Sequence, residues 1–233
     1  MGRGYLLVEG HGEVQAAGNL VVRLWQDLAL PPLPWTRPLR WTQLHQRRGV
    51  SKACAYVRSR GDAAALLILR DEDDACPRAA APAAARWIAD ERLPFPAAVV
   101  LLHREYEVLF LPCLERMAGV ALKDDRGIER PGLLAGTRFA GDWEARRDVK
   151  GWLSANFPPG RSYKPTLDQL PMTRLLDFAL LRASGLACFG SLERGLRSLA
   201  EHLGTSSVYP TPSLELGRPP SGEAASGGPA GTP

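Results

Sequence analysis

Long apolar runs are absent: the longest, Ala63 to Leu69 and Ala97 to Leu102, fall far short of the roughly 18 residues a bilayer helix needs. Cysteine is scarce. The four residues Cys54, Cys76, Cys113 and Cys188 form no Cys-x-x-Cys pair and have no metal-like spacing, which argues against a disulfide framework or a zinc site and points to reduced thiols in a cytoplasmic protein. The apolar stretch after Arg3 runs only from Tyr5 to Val8, too short for the about 7–15 residues of a secretory h-region, so no signal peptide is expected. No Walker A loop, nucleophile elbow or dinucleotide glycine pattern occurs, which weighs against nucleotide hydrolysis by this chain alone. Acidic residues are missing between Arg37 and Gly61, a stretch that carries seven basic ones. What remains is ordinary for a globular chain: 45% hydrophobic and 23% charged residues with a net charge of +4 exclude collagen-like, coiled-coil and wholly disordered classes.

Apolar patterning orders the chain. Tyr5 to Val8 reads as a buried strand ended by Glu9-Gly10, and Ala17, Val21, Leu24 and Leu28 recur at helical spacing until Pro31-Pro32. Trp35 to Trp41 alternates as a weak strand, and Gln46 to Arg60 reads as a basic helix. Ala64 to Leu69 is an unbroken run of the kind found in parallel sheets covered on both faces. Ala79 to Glu91 is helical with Pro82 in an early turn, and Ala97 to Leu102 is another strand. This alternation predicts an α/β fold: a Rossmann-like, mainly parallel sheet of about four strands flanked by helices. Tyr106 to Met117, Trp143 to Phe157, Leu167 to Ser184 and Ser191 to Leu203 predict a helical C-terminal half. Three parts follow: an α/β core at 1–103, a helical extension packed on it at 104–203, and a disordered tail at 204–233. In the tail 12 of 30 residues are Gly or Pro, leaving too little apolar surface to offset chain entropy. Tyr209 to Leu216 stays open as a short docking peptide.

Functional side chains of open α/β sheets gather where strands end. Here two strands run into acids: Glu9-Gly10-His11-Gly12-Glu13 after the first, and Asp71-Glu72-Asp73-Asp74 after the third. Asp71 and Asp73 are two apart, so on an extended chain both carboxylates point to one side. Mg²⁺ takes hard oxygen ligands of this kind, using one or two carboxylates and filling its shell with water and phosphate. The competing reading is a helix N-terminus decorated with stabilising negative charge. Clustered carboxylates repel one another and call for a cation or a basic partner.

LLVEGHGE followed some sixty residues later by LLILRDEDD resembles the Toprim fold, with a Glu-Gly after the first strand and Asp-x-Asp after the third. REYEVLFL, VKGWL and the run from Tyr163 to Leu196 resemble a Toprim-like family of uncharacterised bacterial proteins, the domain of unknown function numbered four-two-seven-six. The resemblance spans Tyr5 to about Leu203. It implies that Glu9 acts as general acid/base and that Asp71 and Asp73 bind Mg²⁺ (or Mn²⁺). Glu107, ahead of Glu105, is implied as an additional carboxylate, and Glu9, Glu13 and Asp74 complete the candidate metal set.

Nucleic acid is the expected partner. Arg47, Arg48, Lys52, Arg58 and Arg60 lie on or beside one predicted helix, with Trp35 and Trp41 interleaved among Arg37 and Arg40, and Arg146, Arg147 and Lys150 form a second basic group. A solvated helix face with buried tryptophans is the alternative. The leading expectation is a Mg²⁺-dependent nuclease acting on DNA or RNA, part of a bacterial defence or DNA-processing system. The other is a catalytically weak Toprim-like interaction module working with a separately encoded ATPase of the SMC/ABC or AAA type. No membrane partner is expected.

Overall fold

The computed structural model describes residues 2–212. Its first half contains β1 (Arg3–Val8), α1 (Glu13–Asp27), β2 (Leu39–Arg40), α2 (Arg47–Arg58), β3 (Ala63–Asp71), α3 (Pro77–Asp90) and β4 (Ala97–Leu102). A 3₁₀ helix (Tyr106–Cys113) then leads into α4 (Leu114–Met117) and a small antiparallel hairpin of β5 (Leu122–Lys123) and β6 (Glu129–Arg130). After α5 (Val149–Ala155) a single π turn (Pro165–Gln169) leads to α6 (Leu170–Arg174), α7 (Phe178–Ala183), α8 (Ala187–Glu201) and β7 (Val208–Tyr209).

The principal sheet is parallel throughout, in the order β2-β1-β3-β4-β7. Because side chains alternate along a strand, each central strand feeds two cores. Leu6 and Val8, Leu67 and Leu69, and Val100 and Leu102 face α1 and the helical half. Tyr5 and Leu7, Leu66 and Ile68, and Val99 and Leu101 face α2 and α3. Coverage on both sides explains why these strands read as unbroken apolar runs. The chain moves from β1 outward to β2 through α1, then returns past β1 to β3 and β4 through α2 and α3 on the opposite face. Progress along the sheet therefore reverses between β1 and β3, which makes the crevice beyond their carboxyl ends the topological switch point.

Three of the four helices predicted in the C-terminal half are shorter or broken, whereas α8 and α3 run slightly longer than their patterns. α3 starts at Pro77, which leaves Pro82 inside the helix and not in its first turn, at the expense of one main-chain hydrogen bond. Of Trp143 to Phe157 only Val149–Ala155 is helical, its start set by Asp148, whose carboxylate accepts the Gly151 N–H at 2.8 Å. The Leu167 to Ser184 stretch divides where Asp177 caps α7 through the N–H groups of Ala179 and Leu180. No helix among the described residues is long and apolar enough to cross a membrane.

The expected tail boundary near Leu203 is corrected. Val208 and Tyr209 pair with Ala97 and Ala98 to add a fifth strand, and the Tyr209 hydroxyl accepts from Arg194 Nε at 3.2 Å. Gly195 makes room: a Cβ there would lie 3.1 Å from Val100 and 3.3 Å from the Tyr209 ring. The docking-peptide idea thus becomes strand addition by the chain's own Val208–Tyr209, because two β-formers meet an unpaired sheet edge. Residues 213–233 of the expected tail lie outside the described residues.

A chain ending at Leu203 is expected to melt about 5–10 °C below one ending at Pro212. Loss of the Val208 and Tyr209 burial is worth roughly 2–3 kcal/mol. Differential scanning calorimetry of the two lengths checks it, and equal melting temperatures would contradict the docking of β7.

Candidate functional site

Three segments leave the carboxyl edge of the sheet around the switch point, and each supplies a carboxylate. Asp71 is the last residue of β3, and its parity with Leu67 and Leu69 turns it toward α1 and the helical half. Glu13 opens α1 just after β1 and is buried. Gly10 permits this, since a Cβ at that position would sit 2.3 Å from Glu13 Oε1, so the Glu-Gly pair is followed by a glycine-lined seat for the next carboxylate. Beyond β4, Glu105 holds extended backbone before the 3₁₀ helix, and Glu107 in its first turn is fully buried.

The helical half adds the cation. Lys150, in the first turn of α5, puts its Nζ 3.4 Å from Glu107 Oε2, 3.5 Å from Glu105 Oε2 and 3.9 Å from Asp71 Oδ2. These are ion-pair separations, longer than the about 2.7–2.9 Å of a charge-assisted hydrogen bond. Accordingly Asp71 Oδ1, Glu105 Oε2 and Glu107 Oε2 are buried without a hydrogen-bond partner. Glu107 is oriented through its other oxygen, which accepts from the Tyr163 hydroxyl at 2.8 Å and from Gln169 Nε2 at 3.3 Å.

Charge balance is poor: four carboxylates face one ammonium. Burial pushes the Asp71 carboxyl well above the usual carboxylate range, with Glu13 and Glu107 adding like-charge repulsion that Lys150 only partly offsets. Burial likewise raises Glu107 against the opposing pull of Lys150 and Tyr163, and raises Glu13 against the backbone amides of Gly10 and Glu9. For Lys150 burial works against the charge, but Glu107, Asp71 and Glu105 outweigh it and raise the pKa. The ammonium is therefore a permanent positive charge.

The predicted residues divide. Asp71, Glu13 and Glu107 are brought together, and Glu105 joins them. Both Glu105 and Glu107 reach the site because the chain is extended at 105 and 3₁₀ beyond it, in place of the helix expected from Tyr106 to Met117. Asp73 is not in the cluster: β3 ends at Asp71, so the shared side of an extended Asp-x-Asp is lost, and Asp73 is exposed. Asp74 is also exposed and pairs with Arg147 at 3.3 Å. Glu9 turns to the other face, where its Oε1 accepts the Leu44 N–H at 2.7 Å, with His45 Nδ1 at 3.4 Å.

Lys150, expected to bind nucleic acid, is instead the cluster's counterion. The α2 group is remote from it: Arg47 pairs with Asp90, Arg58 donates to the Glu91 carbonyl, and Arg60 lies over the Tyr56 ring at 4.2 Å. Arg48 and Lys52 are exposed. Trp35 packs edge-on against Trp25, and Trp41 against Tyr56, which makes both tryptophans anchors. Tyr163 and Gln169 carry no sequence signal for their role, because their partner lies 56 and 62 residues away.

The donor set suits a hard divalent cation, having orphaned carboxylate oxygens and excess negative charge. Among the described residues, however, no three Asp, Glu, His or Cys side chains converge as closely as a metal ion's ligands. Three of the cysteines are buried thiols: burial holds Cys54 and Cys188 at about 12 and Cys113 at about 11. Compared with protein-family models, with curated proteins and with solved structures, the chain matches none.

An acid whose folded pKa is raised contributes fully to stability below its unfolded value, near 4, and loses that contribution as pH rises through the folded value. In metal-free buffer Asp71→Asn should therefore raise Tm at pH 8 by about 2–4 °C, roughly 1 kcal/mol in a chain of this size, with no gain near pH 3.5. Lys150→Met should lower Tm at pH 8, and adding Asp71→Asn should recover part of the loss, a coupling readable in a double-mutant cycle. An Asp71→Asn gain that does not depend on pH would contradict this electrostatic account.

Proposed function

We propose that the chain is a Mg²⁺- or Mn²⁺-dependent phosphodiesterase acting on DNA or RNA, with Asp71, Glu13, Glu105 and Glu107 as the acidic centre. The observation that carries this reading is the trio of buried carboxylate oxygens at the sheet's switch point that lack a hydrogen bond, two of them held only by ion pairing to Lys150. Unpaired buried acceptors are costly, and at a switch point they call for a ligand. The reading keeps the activity that the Toprim resemblance implies and changes its residues: Asp73 and Asp74 leave the ligand set, Glu9 leaves the proton-handling role, and Glu105 enters.

A divalent ion bound there would supply a water activated for attack and a positive charge for the phosphoryl oxygens. The chain's own groups would do the rest. Tyr163 and Gln169 fix one oxygen of Glu107 and leave the other to Lys150 at ion-pair distance, the kind of outer bond that orients a ligand carboxylate. Lys150, held charged by its neighbours, offers a fixed positive charge to a phosphate and is unsuited to act as a base.

A second reading has its own support. Lys150 already stands within ion-pair distance of three carboxylates, and the described side chains do not converge as a finished metal site. On that basis the centre is structural, and the chain is an interaction module for a separately encoded ATPase.

Metal titration separates the two. If the centre is catalytic, millimolar Mg²⁺ or Mn²⁺ should raise Tm at pH 7.5 by several degrees, since a ligand at 100 times its Kd stabilises by about 2.7 kcal/mol. EDTA should reverse the rise and Asp71→Asn should abolish it. Cleavage of plasmid or single-stranded nucleic acid should fall at least about 100-fold in Glu107→Gln. Absence of both the thermal shift and cleavage would favour the interaction module.

A further inference from the structure

A cavity of about 840 Å³ opens at the carboxyl edge beside the acidic centre, between α3, α8 and the 142–145 loop. Its size falls in the roughly 300–1,000 Å³ range of small-ligand sites. Arg78, Arg104 and Arg194 line it, together with Asp74, Asp142 and Glu144. The formal charges cancel, and of the three acids only Asp74 is in an ion pair. Asp74 is paired with Arg147. Glu144 accepts the Cys188 N–H at the start of α8, at 3.1 Å, and Asp142 accepts the Glu144 N–H at 3.0 Å. The arginines hold only neutral partners: Arg104 donates to the Asp73 carbonyl and Arg194 to the Tyr209 hydroxyl. Neither these two nor the exposed Arg78 is in an ion pair among the described residues. Three planar guanidinium groups that are in no ion pair, beside Asp142 and Glu144 turned to backbone N–H groups, suit a phosphate, which such groups bind bidentately.

Cavity and centre are joined by short stretches of chain. Asp74 lines the cavity three residues after Asp71, and Arg104 lines it one residue before Glu105. The segment leading into α5 spans both, since Arg147 pairs with Asp74 and Lys150 with Asp71. The cavity wall also includes Ala81, Pro82 and Leu101, apolar surface of the sort a nucleobase covers.

We propose that this cavity holds the terminal nucleotide of a nucleic-acid strand, with Arg78, Arg104 and Arg194 on its end phosphate and the following phosphodiester directed toward the acidic centre. The proposal rests on the phosphodiesterase reading and gives it a substrate class: strands with phosphorylated ends. It also relocates nucleic-acid recognition from α2 to the rim of the centre.

Binding of the full chain to a single-stranded 12-mer, measured by fluorescence anisotropy in EDTA, tests this without catalysis. Three forms of the oligonucleotide are compared, with a 5′-phosphate, a 3′-phosphate or hydroxyls only, each labelled away from the tested end. One phosphorylated form should bind about 5–10 times tighter than the hydroxyl form, and inorganic phosphate should remove that advantage. The double variant Arg78→Ala/Arg194→Ala should lose the preference. Both arginines are exposed, and the charge-reversing Arg78→Glu gives a second variant that should lose it as well. Asp71→Asn should retain it. Equal affinity for all three forms, or a preference surviving in both arginine variants, would overturn the proposal. End preference in EDTA without cleavage in Mg²⁺ would refute the catalytic reading and leave the cavity assignment standing, whereas cleavage without end preference would do the reverse.

Discussion

Lys150 reaches across from the helical half to stand among Asp71, Glu105 and Glu107, and the acidic centre depends on that reach. Four carboxylates drawn out of water would repel one another and disfavour ionisation. One ammonium lessens this without cancelling it, because it faces three partners at distances too long for a strong bond to any of them. The result is a centre held in place but undersatisfied, with buried oxygens still lacking a donor. Natural proteins tolerate such local cost where a ligand is to be received.

The sheet makes the cost bearable. Its central strands are packed on both faces by the two cores, so Asp71 and the loops after β1 and β4 are fixed to the most rigid part of the molecule. The helical half is more than a cover. It brings Lys150 on α5, Tyr163 just before the π turn and Gln169 within it to carboxylates on the core's edge. A division at residue 103 therefore separates two stretches of sequence that share one site.

The same edge joins the acids to the arginine-lined cavity, since single loops serve both. Residues 71 to 74 run from the centre to the cavity rim, and residues 105 and 104 do so within one peptide unit. Arginines and acids thus lie close together in sequence along one edge of the sheet.

Much of this was open to reading in the chain alone. Leu66 to Leu69 and Ala97 to Leu102 announce buried parallel strands because backbone alternation and two-sided coverage leave no polar position, and the acids that follow mark the strand ends. That Asp71 and Glu13 both follow strand ends was legible for the same reason, whereas Glu107 was implied only by the Toprim resemblance. Local pattern could not tell that β3 stops at Asp71, which sends Asp73 to solvent, or that parity turns Glu9 to the opposite face toward Leu44. Nor could it take Lys150 from the basic stretches and set it among acids, or place Tyr209 against β4 from within a Gly/Pro-rich segment. Strand and helix type follow from short-range periodicity, which the sequence carries by itself. Which charges meet depends on contacts between residues tens of positions apart, and those were decided only when the helical half closed over the sheet.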